Sequence, residues 1–129
     1  MMATVGEIMS RNLLTVEPGT AVADVVTQMH EREVGAVLVV DAERLVGIFT
    51  ERDVLHAAAT GKLEGAVADL MSRHPETIDA DDTTAHAAAM MIHGGFRHLP
   101  VEEDGKLAGI VSIRDLIRHE LDDEIPRGA

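Results

Sequence analysis

The 129-residue chain has no cysteine, no tryptophan and no tyrosine, and only two phenylalanines. Without cysteine, disulfides and thiolate chemistry are excluded, and an intracellular location is compatible with the composition. With almost no aromatics, the core has to be built from Val, Leu, Ile, Ala and Met. Few rings remain on which nucleic-acid bases could stack. Basic residues are also scarce: 11 Lys and Arg stand against 23 Asp and Glu, a formal net charge of -12 with His neutral. That balance opposes non-specific binding to nucleic acid or to an anionic membrane, both of which need a basic footprint. An anionic ligand has to be held by local donors against the long-range field. No apolar run approaches the roughly 20 residues of a membrane span. The opening MMATVGEIMS lacks the basic region and apolar stretch of a signal peptide. A soluble cytoplasmic protein is expected.

What the chain does have is one phrase written twice. GIFTERDVL runs from Gly47 to Leu55, and GIVSIRDLI from Gly109 to Ile117. Placing Val5 over Val67 sets an offset of 62 residues, and the match continues without a gap for about fifty residues. Met9-Ser10-Arg11 falls on Met71-Ser72-Arg73, Thr15 on Thr77, Met29 on Met91, Val39 on Val101 and Arg52-Asp53 on Arg114-Asp115. The chain reads as a tandem duplication, with repeats at 1–61 and 62–129. AATGKLEGA forms the joint, and an acidic tail from about residue 122 is expected to fray.

Each repeat reads in the same order. Thr4-Val5-Gly6-Glu7 has the hydroxyl and third-position acid of a capping box, which predicts a short capped turn. LLTVEP follows as an extended piece. Val22, Val25, Val26 and Met29 fall at i, i+3, i+4 and i+7, one face of a helix, with Thr20 as its expected N-cap. VGAVLVVD and RLVGIFT, joined by a polar turn around DAER, read as a β-hairpin, and a helix begins after Thr50. The second copy predicts a helix near Thr84–His93, strands near Arg97–Glu102 and Lys106–Val111, and a last helix from about Ile113. The fold class expected is α+β, two β-α-β-β-α repeats. Neither half would be robust alone, so packing sheet to sheet as a pseudo-twofold pair would give the duplication a structural purpose.

The repeated phrase supports two readings of the same residues. Thr50-x-x-Asp53 and Ser112-x-x-Asp115 match a capping box, in which hydroxyl and carboxylate satisfy backbone N–H groups of the first helical turn. The same strand-to-helix junction presents N–H groups and a positive dipole end, and is a ready anion site. A carboxylate there suits a ribose diol, as in dinucleotide sites, and Arg52 and Arg114 suit a phosphate. Spacing does not choose between cap and nucleotide site.

VGEIMSRNLLTVEPGTAV, GAVLVVDAERLVGIFTERDVL, VADLMSRHPETI and GGFRHLPVEEDGKLAGIVSIRDLI, from about Val5 to Leu121, resemble the tandem CBS domain pair named from cystathionine beta-synthase. The resemblance implies a stand-alone regulatory module that binds an adenosyl compound (AMP, ADP, ATP or S-adenosylmethionine) in clefts between the repeats. It implies a homodimer, signalling in trans to an effector protein, and no required cofactor. Carried onto this sequence, one cleft would combine Ser112 and Asp115 with Leu14, Thr15, Val34, Gly35 and Ala36, and Arg114 would lie nearby. The other would combine Thr50 and Asp53 with Glu76, Thr77, Phe96, Arg97 and His98. The first repeat departs from the family's LPV strand, with Leu38 where the second has Pro100. The alternative is a scaffold or dimerisation module that binds no nucleotide and whose hydroxyl–Asp pairs are only caps.

Other constellations carry less. His86 and His93 lie two helical turns apart with Met90 between them, but no third ligand is evident, so no metal site is assigned. The alanine-rich AHAAAMMIH reads as a packing helix. No G-x-S-x-G, Walker loop or H-E-x-x-H is present, so an enzyme is not expected.

Overall fold

The computed structural model describes residues 3–124. In chain order its elements are α1 (Val5–Ile8), β1 (Thr15–Val16), α2 (Val22–Arg32), β2 (Ala36–Asp41), β3 (Arg44–Thr50), α3 (Glu51–Thr60), α4 (Val67–Leu70), β4 (Ser72–Arg73), β5 (Ile78–Asp79), α5 (Thr84–Gly94), β6 (His98–Glu103), β7 (Lys106–Ser112) and α6 (Ile113–Glu124). Both repeats show the expected β-α-β-β-α order, each preceded by a one-turn helix. The fold is a mixture of helix and sheet with two separate sheets. Of the tail expected to fray, residues as far as Glu124 belong to α6, and 125–129 lie outside the described residues.

The compact units do not coincide with the sequence repeats. One unit is Leu13–Pro75; the other joins Met1–Asn12 to Glu76–Ala129. The leading segment of each repeat therefore completes the sheet of the other repeat's hairpin. In the first unit the sheet order is β1-β2-β3-β4, and Ser72 of β4 pairs antiparallel with Ile48. In the second unit, ordered β5-β6-β7, Ser10 bridges Ile110 at the equivalent position. Both hairpins carry the same register irregularity, after Val39 and after Val101.

In the unit Leu13–Pro75, the helical stripe Val22, Val25 and Met29 is buried against Val37, Val39 and Phe49 of the hairpin and Ala57 of α3. In the other unit Ala87 and Met91 of α5 meet Leu99, Val101 and Val111, with Leu116 of α6 and Val5 of α1 completing the core. The periodicity of 3.6 on the helices and the near-continuous apolar strands bury one face of each helix on one face of its sheet.

One local feature differs from the sequence expectation. Thr20 is not the N-cap of α2; Ala21 is, and no side chain caps it. The reason is that the carbonyls of Gly65 and Leu63 accept the first helical N–H groups, of Val22 and Ala23, at 2.8 and 2.9 Å. With those donors satisfied by backbone, a capping hydroxyl has nothing to add. In α5 the Thr83 hydroxyl accepts from His86 N–H at 3.1 Å. The Leu38/Pro100 difference also has a consequence. Leu38 N–H donates to the Leu14 carbonyl at 3.0 Å, extending the parallel pairing of β1. Pro100 has no N–H, so β5 begins one repeat position later, with Ile78 opposite Val101.

The hairpin turns give a first test. Ala42 and Glu43 lie at φ 49° and 68°, and Asp104 and Gly105 at 51° and 76°. Two positive-φ central residues define a turn that favours Asp-Gly, which the second repeat has and the first lacks. Glu43→Gly should raise unfolding stability by about 0.5–1 kcal/mol, and Gly105→Ala should lower it comparably. Urea denaturation of the two variants checks both signs.

Candidate functional site

Each unit builds one strand-to-helix junction from a hairpin and the helix that follows it. Thr50, in extended conformation (φ -124°, ψ 175°), ends β3 and caps α3. Asp53 Oδ2 accepts from the Thr50 N–H at 2.9 Å and from its hydroxyl at 3.4 Å. In the other unit Ser112 N–H donates to Asp115 Oδ2 at 2.8 Å, and Asp115 N–H donates back to the Ser112 hydroxyl at 3.1 Å. Both repeats therefore form capping boxes. All of the carboxylate's bonds fall on Oδ2; among the described residues Oδ1 of Asp53 and of Asp115 makes no hydrogen bond. Both aspartates are half-buried.

Strand register then decides the neighbours. Ala36 lies opposite Thr50, and His98 opposite Ser112. The first helical N–H of each junction is already taken: Glu51 N–H donates to the Gly35 carbonyl at 3.1 Å, and Ile113 N–H to the Arg97 carbonyl at 2.9 Å. The anion site expected from free helix N–H groups thus has one donor fewer than an open helix end.

The unit Leu13–Pro75 brings Gly35 and Ala36 beside the Thr50–Asp53 cap, with Val34 just before them, Thr15 on the strand next to β2 and Leu14 just ahead of that strand. The other unit brings Arg97 and His98 beside Ser112, Arg114 and Asp115. Arg52, Arg97 and Arg114 are exposed. Phe96 does not stand free: its ring covers the backbone of Gly94 and packs on the core. Glu76 and Thr77 lie elsewhere in that unit, in a groove of about 510 Å³ shared with Asp79, Asp82, His86, Met90 and His93. The Thr77 hydroxyl donates to Glu102 at 2.9 Å. This groove does not include Phe96, Arg97, His98, Ser112 or Asp115.

Sequence reasoning missed two features. Asp82 Oδ2 lies 2.7 Å from His86 Nδ1, an i,i+4 pair on the first turn of α5. The hydrogen bond with His86, helped by the Thr83 N–H at 2.8 Å, holds the Asp82 carboxyl below the usual carboxylate range. The Asp-x-x-x-His spacing was the available signal. The second is that the Glu51 carboxylate folds over Gly35; only the three-dimensional register reveals it. Among the described residues no group of three or more His, Cys, Asp and Glu could hold a metal ion. No helix among them is long and apolar enough to cross a membrane.

The model of the CBS domain family matches the chain twice, at residues 5–60 and 67–122. The chain belongs to the CBS domain family and contains a tandem pair of its domains. An uncharacterized 17.7 kDa protein of Acidianus ambivalens is 37% identical over 95% of this chain and 76% of its own length. The uncharacterized protein MK0525 of Methanopyrus kandleri is 34% identical over 91% of this chain, which spans 62% of that relative. Among solved structures, a putative signal-transduction protein with CBS domains from Burkholderia ambifaria MC40-6 superposes with a TM-score of 0.89 at 30% identity, over 98% of this chain and 100% of the other. The CBSX2 protein in complex with AMP has a TM-score of 0.79 at 30% identity, over 95% and 98% of the two chains. The CBS domain pair of MJ0100, in complex with 5′-methylthioadenosine and S-adenosyl-L-methionine, has a TM-score of 0.85 at 25% identity, over 92% and 99%.

Proposed function

We propose that the chain is a regulatory module that senses an adenosyl compound, with Thr50–Asp53 and Ser112–Asp115 holding the ribose. The observation that carries this is the division of labour in each aspartate. Oδ2 is spent on the helix cap, while Oδ1 is left to accept from a sugar hydroxyl. The AMP, 5′-methylthioadenosine and S-adenosylmethionine complexes of structural neighbours support the same class of ligand. Leu14, Thr15, Val34, Gly35 and Ala36 are proposed to lie against a ligand at one junction, and Arg114 at the other. The same is proposed for Glu76, Thr77, Phe96, Arg97 and His98. The module works by binding, without a required cofactor and with no chemical step assigned to it. A ligand of this kind acts by its differential affinity for two forms of the protein, which an effector in trans would read.

A homodimer fits the surface. Leu55 and Ile117, 71% and 54% exposed, occupy equivalent positions in the two repeats, and Ile92 is 74% exposed. A second copy of the chain would cover them; sedimentation velocity tests this directly.

The decisive experiment is a thermal-shift series with AMP, ADP, ATP, S-adenosylmethionine and NAD. A ligand at about 100 times its Kd adds roughly 2.7 kcal/mol of stability, a rise of several degrees for a chain this size. In Asp53→Ala and Asp115→Ala that rise should disappear at the altered junction, while the unliganded protein loses only about 1 kcal/mol, one cap. One observation favours a second reading, a scaffold without a ligand: both caps are already complete. A flat panel at millimolar ligand would select it.

A further inference from the structure

The two junctions share their backbone geometry and differ in charge. At the start of β2, the Glu51 carboxylate occupies the space that a side chain at Gly35 would need. The equivalent residues in the second repeat, 62 positions on, are Arg97 and Ile113. There Ile113 packs against the core, and Arg97 is exposed. The first junction thus carries Glu51 and Asp53 against the single Arg52. The second carries Arg97 and Arg114 against the single Asp115, with His98 opposite Ser112. The sign of the local charge reverses between two sites of the same design.

That reversal matters because of the field around it. A chain of net charge -12 repels a phosphate at long range, so binding of one depends on the guanidinium groups it meets at contact. Arg97 and Arg114 offer bidentate donors to a phosphate. Glu51 offers the reverse: a carboxylate lying on the glycine backbone opposes a phosphate and favours a neutral or cationic substituent.

We infer that the two junctions sort adenosyl compounds by charge. The Arg97 junction takes a phosphorylated one, and Glu51 makes the Gly35 junction reject phosphate in favour of an uncharged or cationic 5′ substituent. This rests on the adenosyl-binding reading above and adds to it a ligand class for each repeat, with Glu51 and Arg97 as the specificity-determining residues.

Titration calorimetry of the full chain with AMP and, separately, with 5′-methylthioadenosine tests it, using Glu51→Gln and Arg97→Gln. Both residues are exposed and outside the cores, so the variants keep the fold. The wild type should take AMP at a single class of site. Glu51→Gln should open a second AMP site, or tighten a weak one by about five- to tenfold, with methylthioadenosine affinity held within about twofold. Arg97→Gln should weaken AMP by about tenfold and spare methylthioadenosine. AMP binding that ignores Glu51→Gln, or an Arg97→Gln variant that loses both compounds equally, overturns the sorting while the adenosyl reading stands. A wild type that binds neither compound overturns both.

Discussion

Phe49→Ala should lower the unfolding free energy by about 3–5 kcal/mol, a large part of what a domain of this size has. Phe49 is the only aromatic residue fully enclosed in either core, and its core also takes in Val22 and Val25 of α2 and Ala57 of α3. With so few rings in the chain, no neighbouring aromatic can swing into the space. The void would lie beside Val37, the residue opposite on β2, in a core whose other fully buried members, Val22, Val25 and Ala57 among them, are short. β-branched valines held in one rotamer relax poorly, which keeps the cost at the high end of the range. The repeat itself supplies a sharper version of the test. Phe49 pairs with Val37, whereas the equivalent pair in the second unit is Val111 with Leu99. Large and small have exchanged places across the register. Phe49→Val alone should therefore cost about 2–3 kcal/mol. Adding Val37→Leu should recover part of that, because the pair then matches one that already fills an equivalent core. Urea unfolding with unchanged m-values reads both effects, and strict additivity of the two substitutions would sink the compensation argument.

That exchange also shows what kind of information the sequence held openly. The 62-residue offset, the helical stripe Val22-Val25-Met29 and the two hairpins could be read directly, because each rests on periodicity or on local turn chemistry. So could the hydroxyl–Asp pairs, since a capping box is contained within four residues. Features decided by residues far apart were not readable. Thr20 has every property of an N-cap, yet the helix begins at Val22, because carbonyls some forty residues later accept the first N–H groups. The described leading residues, from Ala3 to Asn12, belong to the unit built by the second hairpin, a matter of which strand Ser10 finds. At the candidate site the aspartates and their strand-start neighbours were legible through the repeat. The fold of Glu51 over Gly35 was not, since residues sixteen apart meet only after β2 and β3 have paired. The packing of the Phe96 ring over Gly94 was not legible either, because two residues so close in sequence meet only through the turn that ends α5.

The second large effect concerns the paired motif of Met-Ser and Gly-x-x-hydroxyl, whose two halves lie some forty residues apart in each repeat. Gly47 sits under the side chain of Met71, and Gly109 under that of Met9. The strand glycine is there because a thioether lies flat on the backbone where a β-carbon would stand. A β-carbon at 47 would meet Met71 Sδ, with Cγ at 2.8 Å and Cε at 3.0 Å; all three closest atoms belong to that one flexible side chain. At 109 it would meet Met9 Sδ at 2.6 Å and also the backbone carbonyl of Ser10 at 2.8 Å, which itself accepts the Ile110 N–H at 2.9 Å. Gly47→Ala and Gly109→Ala should each cost about 1–3 kcal/mol by overpacking, yet respond differently to trimming the methionine. In a Met71→Ala background, Gly47→Ala should cost almost nothing, since the obstructing atoms are gone. In a Met9→Ala background, Gly109→Ala should keep most of its penalty, because the Ser10 carbonyl cannot retreat without giving up the bridge that joins the leading segment to β7. Two double-mutant cycles measured by thermal or urea unfolding decide the matter. A strong coupling at 47 and 71 beside a weak one at 109 and 9 is the expected result. Equal couplings in both cycles would mean that the methionine contact alone, and not the neighbouring backbone, dictates glycine in both strands.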